Sequence, residues 1–132
     1  MKPESPETKK ILLVEDDPFL IDIYSTKLEE SGFQVEVATD GEEALKKVFE
    51  GKPDLVLLDI VLPGMDGWQV LREIKQNEVS KGLKIIILSN LGQTHEVKKG
   101  LELGAAGYLI KSHYAPSEIV AEIEKILYNK TT

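Results

Sequence analysis

Cysteine is absent from all 132 residues, and the chain's two histidines, His95 and His113, stand well apart. Disulfides and thiolate metal sites are therefore excluded, and a zinc site has too few ligands to form. No apolar run reaches the roughly 18 residues that a membrane span needs. The opening stretch MKPESPETKK lacks the apolar core of a secretory signal, so the reading is of a cytoplasmic protein with no membrane partner. Basic residues are outnumbered, 16 Lys and Arg against 23 Asp and Glu, for a net charge of -7. Phosphate contacts demand a basic face, and the short KK pairs at 46–47 and 98–99 read as solvated helix faces, so direct nucleic-acid binding is not expected. The acid excess instead favours a divalent cation or a basic partner surface.

What is present is a repeated alternation. Short apolar runs, KILLV, FQVEVA, DLVLL, KIIIL and AGYLI, are separated by longer amphipathic stretches, the pattern of a parallel sheet covered by helices. Helical faces are read at Leu20, Ile23, Tyr24 and Leu28, at Ala44, Leu45, Val48 and Phe49, at Val70, Leu71 and Ile74, and at Ile119, Val120, Ile123, Ile126 and Leu127. The punctuation agrees with this division. Asp17 and Pro18 suit a helix start, Gly32 a helix end and Asp40 a cap; Gly51 and Pro53 suit a break before the third strand, and Pro116 the opening of the last helix. The fourth helical stretch, THEVKKGLELG, has little beyond Val97 and Leu101 to anchor it and carries Gly100 inside it, which costs on the order of 1 kcal/mol relative to Ala. It is expected to be the least firmly held helix.

All strands of a parallel sheet point the same way, so the residues that follow the apolar runs gather along one edge, where open α/β sheets bind ligands. Glu15 and Asp16 follow the first run, Asp59 the third, Ser89 and Asn90 the fourth, and Lys111 the fifth. In the flavodoxin-like strand order 2-1-3-4-5 these groups form one cleft. Each has a local explanation as a cap or a solvated strand end, but their joint placement points to a site. Three carboxylates within about 5 Å repel by roughly 3 kcal/mol per pair at an effective dielectric near 20, so a cation is called for. Oxygen ligation suits Mg²⁺, and Lys111 adds a second positive charge on the far side. A carboxylate between the two is placed to attack phosphorus.

The motifs VED, PDLVLLDIVLPGMDG, IIILSN and GYLIK, in this order and spacing, resemble the receiver domain of two-component response regulators. The resemblance runs from about Lys10 to Tyr128 and implies a (βα)5 three-layer α/β sandwich with a parallel five-stranded sheet. It implies Asp59 as phosphoacceptor, Asp16 and Asp59 as direct Mg²⁺ ligands, the Val61 backbone carbonyl as a third, and Glu15 reaching the ion through water. Ser89 matches the switch hydroxyl, Lys111 the lysine that pairs with the phosphoryl group, and Tyr108 the aromatic that turns inward; Asp17 lies outside the metal pair and keeps its capping role. The implied donor is a sensor histidine kinase or a histidine phosphotransfer protein, and the implied output is an unidentified downstream protein met through helix four, strand five and helix five, with a phosphorylation-dependent dimer as one form. Catalysis would be confined to the domain's own phosphorylation and dephosphorylation.

The family usually has proline after the lysine, in a cis peptide. Here Ser112 follows Lys111, so the loop either carries a cis bond costing about 2.5 to 4 kcal/mol or takes a different, trans path. The apolar Val61 and Leu91 stand at the positions that tune phosphoryl lifetime in the family. A phosphohydrolase of the haloacid dehalogenase type would want an acid at position 61, and a flavin carrier would not place VEDDP where a phosphate must sit. Residues 1 to 9 are expected as a disordered tail and residues 10 to 130 as a single receiver domain without an output domain.

Overall fold

The computed structural model describes residues 8–128. The expected tail therefore lies outside the described residues apart from Thr8 and Lys9, as do the last two positions of the expected domain. The elements run β1 (Lys10–Val14), α1 (Pro18–Glu30), β2 (Gln34–Ala38), α2 (Gly41–Gly51), β3 (Leu55–Leu58), α3 (Gly67–Gln76), β4 (Lys84–Ser89), α4 (Thr94–Glu102), β5 (Gly107–Ile110), a 3₁₀ turn at Lys111–His113 and α5 (Pro116–Tyr128). All the strand pairs are parallel, and the sheet order is β2-β1-β3-β4-β5, as the strand-end argument required.

The alternation of side chains along a strand divides the core in two. Ile11, Leu13, Leu55, Leu57, Ile86 and Leu88 meet Tyr24, Leu28, Ile119 and Ile123 on the face covered by α1 and α5. Leu12, Val14, Val56, Leu58, Ile85 and Ile87 meet Ala44, Val48, Val70, Leu71 and Ile74 on the other. Burying each Leu or Ile contributes about 1.5 to 3 kcal/mol, and the strands that bury both faces, β1, β3 and β4, are the ones whose runs are continuously apolar. Phe49 departs from its expected place, standing 37% exposed at the edge of α2.

Capping follows the sequence at the ends that matter for the strand edge. The Asp17 carboxylate accepts from the Phe19 and Leu20 amides at 2.9 and 3.4 Å with Pro18 at the first helical position. Asp40 caps α2 through the Glu43 amide at 2.8 Å, and Asp66 caps α3 through that of Gln69 at 3.0 Å. At the C-terminal end of α2 the break is displaced by one residue. Gly51 is still helical, and Lys52 takes the left-handed conformation at φ 48°. A Cβ on Gly51 would lie 2.7 Å from Glu36 Oε1, the tip of a partly exposed side chain that can step aside.

The first residue of α3 fixes how that helix follows β3. A Cβ on Gly67 would lie 2.5 Å from both the Asp59 carbonyl oxygen and the Ile60 Cα, and backbone atoms cannot step aside as a side-chain tip can. Gly67→Ala should lower the free energy of unfolding by about 1 to 3 kcal/mol, the usual range for forced overpacking, as read from the urea midpoint with an unchanged m-value.

Candidate functional site

The register sets the site. Val14 pairs with Leu58 and Leu58 with Ile87, so β1 and β3 end level while β4 runs two residues further to Ser89, and the next residues along the first two are Glu15 and Asp59. Their amides continue the ladder, Glu15 donating to the Ala38 carbonyl at 3.0 Å and Asp59 to that of Val14 at 3.1 Å. A cleft of about 370 Å³ opens above them, lined among others by Asp16, Val61, Ser89, Asn90, Leu91 and Lys111. A larger groove of about 480 Å³ between α1 and α5, lined by Ile23, Thr26, Lys27 and Pro116 among others, holds none of these groups. Chemistry picks out the smaller one.

Glu15 and Asp59 are 2% and 6% exposed, whereas Asp16 faces solvent. Carboxylate oxygens of all three lie within 4.8 Å of one another. The Lys111 ammonium stands 2.7 Å from Glu15 Oε1 and donates to Asp59 Oδ2, also at 2.7 Å. The contact with Glu15 is an ion pair outside hydrogen-bond alignment. The remaining oxygens are held by backbone: Asp59 Oδ1 accepts from the Val61 amide at 3.1 Å, and Glu15 Oε2 from that of Asp17 at 3.2 Å. Burial alone would lower the Lys111 pKa, but the bonds and charges of Asp59 and Glu15 outweigh it and hold the ammonium above its usual range.

This arrangement refines the sequence reading. Lys111, the second positive charge expected beside a carboxylate, lies between two of them, Glu15 and Asp59, and its single charge offsets only part of that of the three clustered carboxylates. Glu15 is directed at Lys111. Among the described residues there is no cis peptide; Lys111 enters a 3₁₀ turn that closes with the Tyr114 amide on its carbonyl at 3.4 Å, so the trans path is taken.

Ser89 is fully buried at the end of β4, and its Oγ accepts from the Leu91 amide at 3.3 Å. The Tyr108 hydroxyl donates a short hydrogen bond to the Leu91 carbonyl. One peptide segment is thus held at its N–H by Ser89 and at its C=O by Tyr108. Burial, with the charges of Glu96 and Asp59 adding to it, pushes the Tyr108 hydroxyl up to about 12. Sequence reasoning had no access to Leu91 in this role, because the bonds use its backbone and not its side chain. It also placed Tyr24 only in the core; its hydroxyl is raised by burial, with Lys111 pulling it down and the carboxylates Glu15, Asp59 and Asp17 pushing it up.

The sequence profile of the response regulator receiver domain matches residues 11–124. The chain belongs to the response regulator receiver family. It is 40% identical over 119 residues to the alkaline phosphatase synthesis transcriptional regulatory protein PhoP of Bacillus subtilis, covering 90% of this chain and 48% of that protein. The receiver thus spans about half the length of the curated relatives it matches. A CheY-like receiver domain protein from Methanospirillum hungatei superposes with a TM-score of 0.86 at 29% identity, over 93% of this chain and 96% of that one. The Mn²⁺-bound form of the response regulator Rcp1 does so with a TM-score of 0.80 at 31% identity, over 94% and 97%. No helix among the receiver's described residues is long and apolar enough to cross a membrane.

The ion pairs at Lys111 carry a pH signature. A lysine whose pKa is raised on folding contributes stability that is complete below its unfolded value near 10.5 and lost as pH climbs through the higher folded value. Lys111→Met, which leaves two buried carboxylates without their cation, should lower unfolding stability by about 3 kcal/mol at neutral pH without divalent metal. Urea titrations of both proteins from pH 7 upward should give a constant gap that narrows only above pH 10.5.

Proposed function

We propose that the receiver accepts a phosphoryl group on Asp59 from the phosphohistidine of a sensor histidine kinase or a histidine phosphotransfer protein, and signals the change to a downstream protein through α4, β5 and α5. The observation that carries this reading is the surroundings of Asp59: a nearly buried carboxylate with an ammonium on one oxygen and two further carboxylates in reach. The reacting group is shielded, oriented at both oxygens and set where positive charge can be concentrated on a transferring phosphoryl group.

The carboxylate cluster suits a hard divalent ion, being all oxygen, partly exposed and short of positive charge. We assign it to Mg²⁺, with Asp16, Asp59 and the Val61 carbonyl as ligands and Glu15 acting through water. Bound there, the ion would supply charge neutralisation for the incoming phosphoryl oxygens. Lys111 already touches Asp59 and needs only a small movement of its stem to follow an oxygen that lies beyond that carboxylate. Ser89 Oγ uses a lone pair on the Leu91 amide, which leaves its own proton free to donate into the cleft. A pull on Ser89 then reaches Leu91, and through its carbonyl, Tyr108.

Residues 10 to 130 are read as one domain working in the cytoplasm, whose chemistry is limited to its own phosphorylation and hydrolysis. Its output is read as protein contact, a phosphorylation-dependent dimer included, and not direct nucleic-acid contact, for which the net charge of -7 is the support. PhoP is named as a transcriptional regulator, and the receiver corresponds to about half of it.

With a small-molecule phosphodonor and Mg²⁺, intact-mass and peptide mass spectrometry should find one phosphoryl group, on Asp59. Asp59→Asn should stay unmodified, and Asp16→Ala should react at least tenfold more slowly, a loss of about 1.4 kcal/mol or more. Phosphate on another residue of the parent would overturn the assignment.

The side chains at the cleft mouth bear on lifetime. Val61 is 61% exposed and Leu91 half-buried, and neither can hydrogen-bond a water lined up behind phosphorus. Loss of the phosphoryl group in excess Mg²⁺ after donor removal should be slow. A Val61→Asn, Leu91→Glu double variant should speed it about tenfold, roughly 1.4 kcal/mol in the barrier.

A further inference from the structure

The fourth helix is seated on a residue that has no side chain. Among the residues of α4 only Gly100 is buried, while Leu101, the expected anchor, is 47% exposed. A methyl group at position 100 would lie 2.6 Å from Ile87 Cδ1, and 2.9 and 3.2 Å from Tyr108 Cδ2 and Cε2. These distances are well inside van der Waals contact, so a side chain there must displace something. Ile87 is fully buried, so its Cδ1 can give way only against close-packed neighbours. The Tyr108 ring is half-buried and has a way out to solvent. The contact would resolve by the ring leaving.

We propose that Gly100 is a positioning residue for the switch: the missing side chain is what admits the Tyr108 ring beneath α4 and its hydroxyl to the Leu91 carbonyl. The glycine's cost to the helix is thereby explained, since the alanine that would favour the helix would close the pocket that the ring occupies. Substitution at this position acts on a residue that touches neither Asp59 nor its ligands, yet it removes one of the two holds on the segment following Ser89. The functional part of this inference rests on the reading of Tyr108 as the switch aromatic; the packing part does not.

The test separates the two. In full-length protein labelled with 3-fluorotyrosine, the Tyr108 resonance is assigned by its loss in Tyr108→Phe. In the parent it should show little solvent isotope shift between H₂O and D₂O. In Gly100→Ala it should gain the shift of an exposed ring, and affinity for beryllofluoride with Mg²⁺ should fall about tenfold, within the usual span of allosteric coupling. A buried Tyr108 in a folded Gly100→Ala protein would overturn the proposal. An exposed ring with parental beryllofluoride affinity would uphold Gly100 as the ring's seat and overturn Tyr108 as the switch. If Gly100→Ala does not fold, Tyr108→Ala in the same chain should restore folding by vacating the contested space, and failure to do so would also count against the proposal.

Discussion

Everything at the strand edge depends on one ammonium held between two buried carboxylates. Glu15 and Asp59 are carried to neighbouring positions by the pairing of β1 with β3, and uncompensated charges at their depth would cost several kcal/mol. Lys111 answers this from β5, which is separated from β3 by β4. Two strand spacings are about 9.5 Å, so the lysine stem must reach across the end of β4. The short side chain of Ser89 at that end leaves the path open. Strand order, the length of lysine and the smallness of residue 89 are thus one constraint. A change at the site that draws on Asp59 or Glu15 is felt at the end of β5.

The second line of communication is mechanical. Ser89 and Tyr108 hold the N–H and the C=O of Leu91, and Tyr108 lies against α4, the helix with the fewest buried residues. Low burial is the property expected of an element that must move without unfolding its neighbours. The strands β1, β3 and β4, buried on both faces, are by contrast the firmly packed part of the fold.

The strands and the cluster of site residues were legible because they depend on short-range patterns, apolar runs that end at chemistry-bearing residues and helix caps whose hydrogen bonds span three residues, whereas the strand order came from the flavodoxin-like arrangement assumed for the cleft. The path after Lys111 stayed open in the sequence, where serine in place of proline allowed either a strained cis bond or a trans turn, and the 3₁₀ turn takes the second. What was not legible depends on distances between residues far apart in the chain. That Lys111 bridges Glu15 and Asp59 together needs the relative heights of three strand ends. Gly100 read as a weakness because its contacts with Ile87 and Tyr108 were out of view. The exposure of Phe49 has the same origin, since periodicity marks a face but not how far the sheet extends beneath it.

The Lys99 ammonium lies 4.4 Å from the centre of the Trp68 ring, joining α4 to α3 by a cation–π contact. Trp68 is the chain's single tryptophan. All indole emission from the molecule therefore originates at the junction between α3, whose Val70, Leu71 and Ile74 are buried, and the more lightly seated α4. The domain carries its own optical label, placed by the fold at a boundary where displacement matters, with no background from elsewhere in the chain.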